Sequence, residues 1–192
     1  VCIQTGTTTE LNLADFFRLN GISYEALPIE TNDEGKENLF AGRCDVYTTD
    51  ASGLSSTRAA ASNPDKWVVL PEIISKEPLG PLVRHGDHQW GDVVRWSLNA
   101  MIIAEELGIT SENVDAQMSS NVPEVLRLLG VEGNYGEMLE LSNDWAYQII
   151  KQIGNYSESY EANVGPDTPL EIARGLNALW TQGGSFYAPP FR

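Results

Sequence analysis

The sequence predicts an α/β fold, with a mixed, mainly parallel five-stranded sheet in residues 1–85 and helices in residues 86–192. Two observations carry this expectation. Up to about residue 85, short apolar runs alternate with capped helical stretches, and βαβ alternation demands parallel strands because each crossover helix must return the chain to the same sheet end. From about residue 88 the period changes. Trp90, Val93, Val94, Ser97, Leu98, Met101, Ile102 and Leu107 recur at helical spacing, and further helical pieces follow.

The elements follow in chain order. Residues 1–5 (VCIQT) read as a short strand buried on both faces. Thr7 and Glu10 have capping-box spacing, Leu11, Leu13, Ala14, Phe16 and Phe17 continue at helical intervals, and Asn20-Gly21 is a stop signal. Residues 22–27 read as a second strand, 32–41 as a polar helix and 44–49 (CDVYTT) as a third strand ending at Asp50. A helix over 51–62 stops at Asn63-Pro64, and residues 67–74 and 78–84 read as two more strands, the latter with prolines that suit an edge or a crossing segment. In the second half, helices are expected over 88–107, 121–129, 143–153 and 169–182, each closing at glycine. No repeat or low-complexity tract is visible.

Composition narrows the function. The 192 residues include 27 acids against 12 bases, for a formal net charge of −15. Nucleic-acid phosphates need a basic face, so nucleic acid is not an expected partner, and anionic lipid surfaces repel such a chain. No apolar run approaches the roughly 20 residues of a membrane-spanning helix. The chain opens on Val1 with no leader and reads as a processed or partial chain, so the missing leader carries no information about compartment. Cys2 and Cys44 allow one disulfide but define no framework.

The stretch QTGTTTE (4–10) is the most informative local motif. A strand that ends in glycine and feeds a capped helix leaves backbone N–H groups facing outward at the strand's C-terminal edge, where open α/β sheets bind ligands. Gly6 permits close backbone approach, and the Thr7 and Thr8 hydroxyls add hydrogen-bonding capacity. The plainer reading is that Thr7 only caps its helix. The motif is neither a phosphate-binding P-loop, since it lacks the lysine and the spacing, nor a dinucleotide turn. If the first and third strands are neighbours, Asp50 lies close to this helix start. An acid beside an anion site makes a bipolar pocket suited to a ligand with both carboxylate and ammonium, although Asp50 also fits as an N-cap of the next helix. His85, Asp87 and His88 read as a polar loop with a helix cap, and no metal site or cofactor is expected. No Ser-His-Asp or Cys-His frame is recognisable. Cys44 follows Arg43 but sits in a strand-like run, and Trp90, Trp96, Trp145 and Trp180 read as core residues.

QTGTTTELNLADFF, GRCDVYTTDASGL, VVLPEIISKEPLGPLVR and the tail from NDWAYQIIKQIGNY to the C-terminal APPFR resemble periplasmic solute-binding proteins of ABC transporters, specifically the general L-amino-acid type. The resemblance runs the length of the chain. It implies a type II periplasmic-binding-protein fold: two α/β lobes joined by crossing strands that close around an amino acid. On that frame, residues 1–85 resemble the second lobe and 86–192 the returning helical segment of an incomplete first lobe. In the family, an arginine from the first lobe's N-terminal part grips the ligand carboxylate, and no stretch here matches it. The second-lobe contacts carry over onto Gly6, Thr7 and Thr8 on the carboxylate side and onto Asp50 for the α-ammonium, with Gln4 and Thr5 as side-chain neighbours. In such a lobe strands one and three are adjacent, which implies a Cys2–Cys44 disulfide.

The resemblance therefore implies half of an amino-acid site, a periplasmic location, and a free L-amino acid and an ABC permease as partners. One alternative expectation is an association-prone fragment, a homodimer or a pairing with a missing N-terminal fragment, because uncovered helical faces drive association. The other is an enzyme, for which Asp50, Glu72 and Glu77 are the candidate acids; they show no paired arrangement in sequence, so no enzymatic activity is expected.

Overall fold

Strand β1 (Cys2–Gln4) is the middle strand of a three-stranded parallel sheet, flanked by β2 (Leu27–Ile29) and β3 (Tyr47–Thr48). The computed structural model describes residues 1–76 and 78–191. In register, Cys2 lies opposite Leu27 on one side and Tyr47 on the other. The central strand is the most apolar, as burial on both sides requires, with Cys2 and Ile3 fully enclosed. Pro28 is tolerated because β2 is an edge strand, where a missing donor breaks no second ladder.

Helix α1 (Thr8–Leu19) leads from β1 toward β2, α2 (Asn32–Phe40) from β2 toward β3, and α3 (Ala51–Ala59) follows β3. All three therefore begin at the C-terminal edge of the sheet. Thr7 and Thr31 cap α1 and α2, their hydroxyls accepting from the Glu10 and Glu34 N–H groups. Helix α1 ends at Asn20, whose N–H donates to the Phe16 carbonyl, with Gly21 at φ +64° beyond it. Gly35 lets α2 lie directly on the sheet: a Cβ there would stand 2.6 Å from Ile29 Cδ1 and 2.7 Å from the Tyr47 ring. A small core of Cys2, Ile29, Cys44 and Tyr47, with Leu27, Leu39 and Leu54 against it, fills the space beneath. The Cys2–Cys44 disulfide runs through this core with the Cα atoms 5.8 Å apart.

Three corrections to the sequence reading concern the sheet. Among the described residues it has three strands, not five. The second strand is Leu27–Ile29 rather than 22–27, because only those residues pair with β1, while Ile22 and Tyr24 remain exposed. The third is confined to Tyr47–Thr48, with Cys44 just ahead of it. The described residues of 67–74 and 78–84 carry no strand, and Val68, Leu70, Ile73, Leu79 and Leu82 are exposed. Pro71, Pro78 and Pro81 remove ladder donors from these segments, so their apolar content misleads.

The chain divides into two compact units, one of Val1–Leu79 with Pro169–Ile172 and the other of Gly80–Thr168 with Ala173–Arg192. In the first, Arg58 forms an ion pair with Glu171 and so fastens the 169–172 segment. The second is helical: α4 (His88–Glu106), α5 (Val114–Gln117), α6 (Pro123–Leu128), α7 (Trp145–Ile153) and α8 (Tyr156–Asn163). Its core gathers Ile102, Ile103, Ile109, Leu128, Leu129 and Ile150, with Phe191 packed edge-on against Trp96 and Tyr135.

Two expectations about this unit need correction. Residues 169–182 form no α-helix; short 3₁₀ turns occupy 175–177 and 180–182, and Leu179 instead bridges to Phe186. Trp90 and Trp180 are about half exposed rather than core, and the Trp180 indole N–H donates to Glu106 at 3.0 Å. Helix α8 was not anticipated, although its capping box, with the Asn155 and Glu158 side chains each accepting from the other's backbone N–H, is written in the sequence.

Candidate functional site

The three helix starts at the sheet's C-terminal edge frame a cavity of about 280 Å³ lined by Gln4, Thr7–Thr9, Asn32, Thr48, Thr49, Asp50 and Leu79. β1 contributes Gln4 and the turn into α1, α2 contributes Asn32, and β3 contributes Thr48 to Asp50. This is the location that parallel-sheet topology favours for ligands.

The turn after β1 is held from within. The Thr7 hydroxyl donates to the Gln4 carbonyl at 2.7 Å while accepting from the Glu10 N–H. The Thr5 N–H and hydroxyl both donate to the Ile29 carbonyl, at 3.1 and 3.3 Å, which ties the turn to β2. Gly6 takes φ +71°, a left-handed conformation in which a side chain would be strained, and its N–H donates to Glu10 Oε2 at 2.8 Å. Thr8 and Thr9 begin the helix, where N–H groups have no partner inside the helix and carry the positive end of its dipole.

Asp50 occupies the N-cap position of α3, yet its side chain makes no capping bond. The residue is exposed and is part of the cavity lining. One wall of the cavity thus presents amide donors and hydroxyls and another presents a carboxylate, so the arrangement can hold a zwitterion. The Asn32 side chain is held by Tyr47, whose hydroxyl donates to Asn32 Oδ1 at 2.7 Å, and burial pushes that phenol above its usual value.

Of the residues singled out from sequence, Gln4, Thr7, Thr8 and Asp50 line the cavity, whereas Thr5 and Gly6 shape the turn beside it. The Gln4 amide donates to the Glu30 carbonyl at 2.9 Å. Thr9, Asn32, Thr48, Thr49 and Leu79 also line the cavity and are not among the site residues expected from the sequence. Asn32 had a usable signal, because the first turn of the helix after β2 must open at the same sheet edge. Elsewhere, Asp87 caps α4 by accepting from the Trp90 N–H, and His88 is the first residue of that helix. Glu72 is exposed and lies outside the cavity lining, and Glu77 lies outside the described residues. Among the described residues, no group of three or more His, Cys, Asp or Glu side chains could hold a metal ion, and no helix is long and apolar enough to cross a membrane.

No family model matches the chain. Individual proteins do. The chain is 56% identical, over its entire length, to the glutamate/glutamine/aspartate/asparagine-binding protein BztA of Rhodobacter capsulatus, and 55% identical to the general L-amino acid-binding periplasmic protein AapJ of Rhizobium johnstonii. A solved ABC transporter periplasmic binding protein from Brucella ovis with glutathione bound superposes with a TM-score of 0.94 at 52% identity.

The chain is a homologue of amino-acid-binding proteins of ABC transporters. It spans 57% of the length of the two curated relatives and 60% of the solved chain, consistent with correspondence to their C-terminal part. The structural match, which covers this chain and 60% of the solved one, establishes the periplasmic-binding-protein fold, and among the described residues the sheet has three strands. The disulfide implied by the family resemblance is present, and among the described residues no free cysteine remains. These homologues are transport-binding proteins rather than enzymes.

Proposed function

We propose that these residues form one face of an L-amino-acid site in the solute-binding component of an ABC importer. The α-carboxylate of the ligand docks on the Thr7–Thr9 helix start and the α-ammonium pairs with Asp50. Gly6 keeps the turn open to backbone approach, while Gln4 and Thr5 flank the ligand side chain. The protein works in the periplasm, as its homologues do, and delivers a free L-amino acid to a membrane permease. The observation that carries this reading is the exposed Asp50 carboxylate, released from its capping duty and sharing a cavity with the Thr8 helix start. Such a site is broad by construction, because both charged contacts read the head group common to all amino acids.

The experiment is calorimetric titration of the intact protein with L-alanine, with L-lactate, which replaces the ammonium by a hydroxyl, and with L-alaninamide, which neutralises the carboxylate. The proposal expects binding of L-alanine alone. Equal binding of all three would refute it.

A further inference from the structure

The cavity at the C-terminal edge of the sheet is polar almost throughout. Among the described residues, Leu79 is the one apolar side chain in its lining; the others are Gln4, threonines, Asn32 and Asp50. Leu79 is 78% exposed. An exposed leucine alone is ordinary. Its place is not: Val68, Leu70, Ile73 and Leu82 are exposed in the same part of the chain, and none of them lines the cavity.

Pro78 precedes Leu79 and Pro81 follows two residues later. Each ring locks its own φ, so this stretch has fewer conformations to choose from than its lack of strand structure suggests. A ligand in the cavity can cover the exposed isobutyl group. The head group is satisfied at the α1 start and at Asp50, polar contacts that every amino acid makes alike. What differs between ligands is the side chain, and the apolar surface that the lining offers it is Leu79. Covering apolar surface is favourable in proportion to its area, without direction or charge.

We propose that Leu79 is a specificity-determining residue, which ranks ligands by the aliphatic length of their side chains. The inference rests on the reading of the cavity as an amino-acid site and adds an order of preference to it: zwitterions with a longer aliphatic arm above those with a methyl group. The contact reads carbon and not charge, so the site stays broad while it ranks its ligands.

The test is calorimetric titration of the intact protein and its Leu79→Ala, Leu79→Met and Leu82→Ala variants with L-alanine and L-norvaline, whose side chains differ by two methylenes. Wild type is expected to bind L-norvaline about fourfold more tightly or better, the equivalent of one methylene fully covered. Leu79→Ala is expected to bring the two ligands within about twofold of each other, because the covering surface is gone. Leu79→Met, which conserves volume and apolar character, is expected to keep the preference. Leu82→Ala, exposed in the same stretch but outside the lining, is expected to keep it too. A preference that survives in Leu79→Ala, or that disappears in Leu82→Ala as well, overturns the proposal. So does equal affinity of wild type for the two ligands, and in each of these cases the amino-acid reading stands. If wild type binds neither ligand, both readings fall together.

Discussion

Asp50 and Thr8 line one cavity from adjacent strands of the sheet, an acidic residue at the end of β3 and a helix N-terminus after β1. Their juxtaposition follows from topology. In a parallel sheet of order β2-β1-β3, the C-terminal ends of neighbouring strands lie side by side, and whatever follows them shares one edge. Charge of each sign is therefore positioned by backbone pairing rather than by a mobile loop.

The disulfide underwrites that pairing. Cys2 is fully buried at the start of β1, and Cys44 precedes β3 by three residues, closing a separation of 42 residues. With three short strands among its described residues and a small core, the first unit depends on this link. A chain-entropy estimate for a loop of that size is about 4 kcal/mol. Reduction, or the Cys2→Ser/Cys44→Ser double variant, is expected to destabilise this unit by about 2–4 kcal/mol, read as a lower urea midpoint. An unchanged midpoint would show that the strands hold without it.

In the second unit, Arg174 is the equivalent fastening point. Its Nη2 lies 3.0 Å from both Glu105 oxygens, and both side chains are largely buried. The guanidinium stands 5.3 Å from the Tyr156 and Tyr160 ring centroids and also donates to the Asn177 carbonyl. Arg174→Met would leave the Glu105 carboxylate buried without compensation, and a loss of about 3 kcal/mol is expected. The Arg174→Met/Glu105→Met double variant should recover most of that loss. If it is no more stable than the single variant, packing rather than charge is what Arg174 supplies.

A pH dependence follows from Asp115. The hydrogen bond from Lys151 at 2.7 Å, and then that from Tyr147 at 2.9 Å, hold its carboxyl below the usual carboxylate range. The folded state thus releases this proton more readily than the unfolded chain, so the contribution is complete above about pH 4 and is lost as pH falls through the folded value. Lys151 is raised, chiefly by the same bond, so its contribution holds below about pH 10.4 and is lost as pH rises through its folded value. Asp115→Asn should lower the denaturant midpoint slightly at pH 7, with the gap to wild type narrowing as pH falls below about 4. A gap that persists unchanged at pH 3 would contradict the assignment.

Local signals in the sequence located most helices. The cap at Thr7, the polar loop around Asp87 and the 88–107 periodicity are short-range chemistry that the fold does not override, whereas the helix expected to run to Asn63-Pro64 ends at Ala59. Strands fared worse. β2 is defined by which residues meet β1, a non-local fact, and the expected 22–27 segment precedes it with Ile22 and Tyr24 exposed. Residues 67–74 show the same limit: apolar content marks a strand only where the segment pairs with a neighbour, and these residues pair with none of the described strands. Gln4, Thr7, Thr8 and Asp50 were legible because each ends or starts an element. Leu79 was not, since nothing in its local sequence marks an apolar residue as lining a polar cavity.

The most direct measurement is the affinity of the Asp50→Asn variant for an L-amino acid, by calorimetry on the intact protein. This change keeps the side chain's size and its N-cap competence and removes only the charge. A loss of about 1.5–3 kcal/mol, a roughly ten- to hundredfold weaker Kd with an unchanged melting temperature, is the expected result. Wild-type affinity in the variant would mean that the ammonium binds elsewhere.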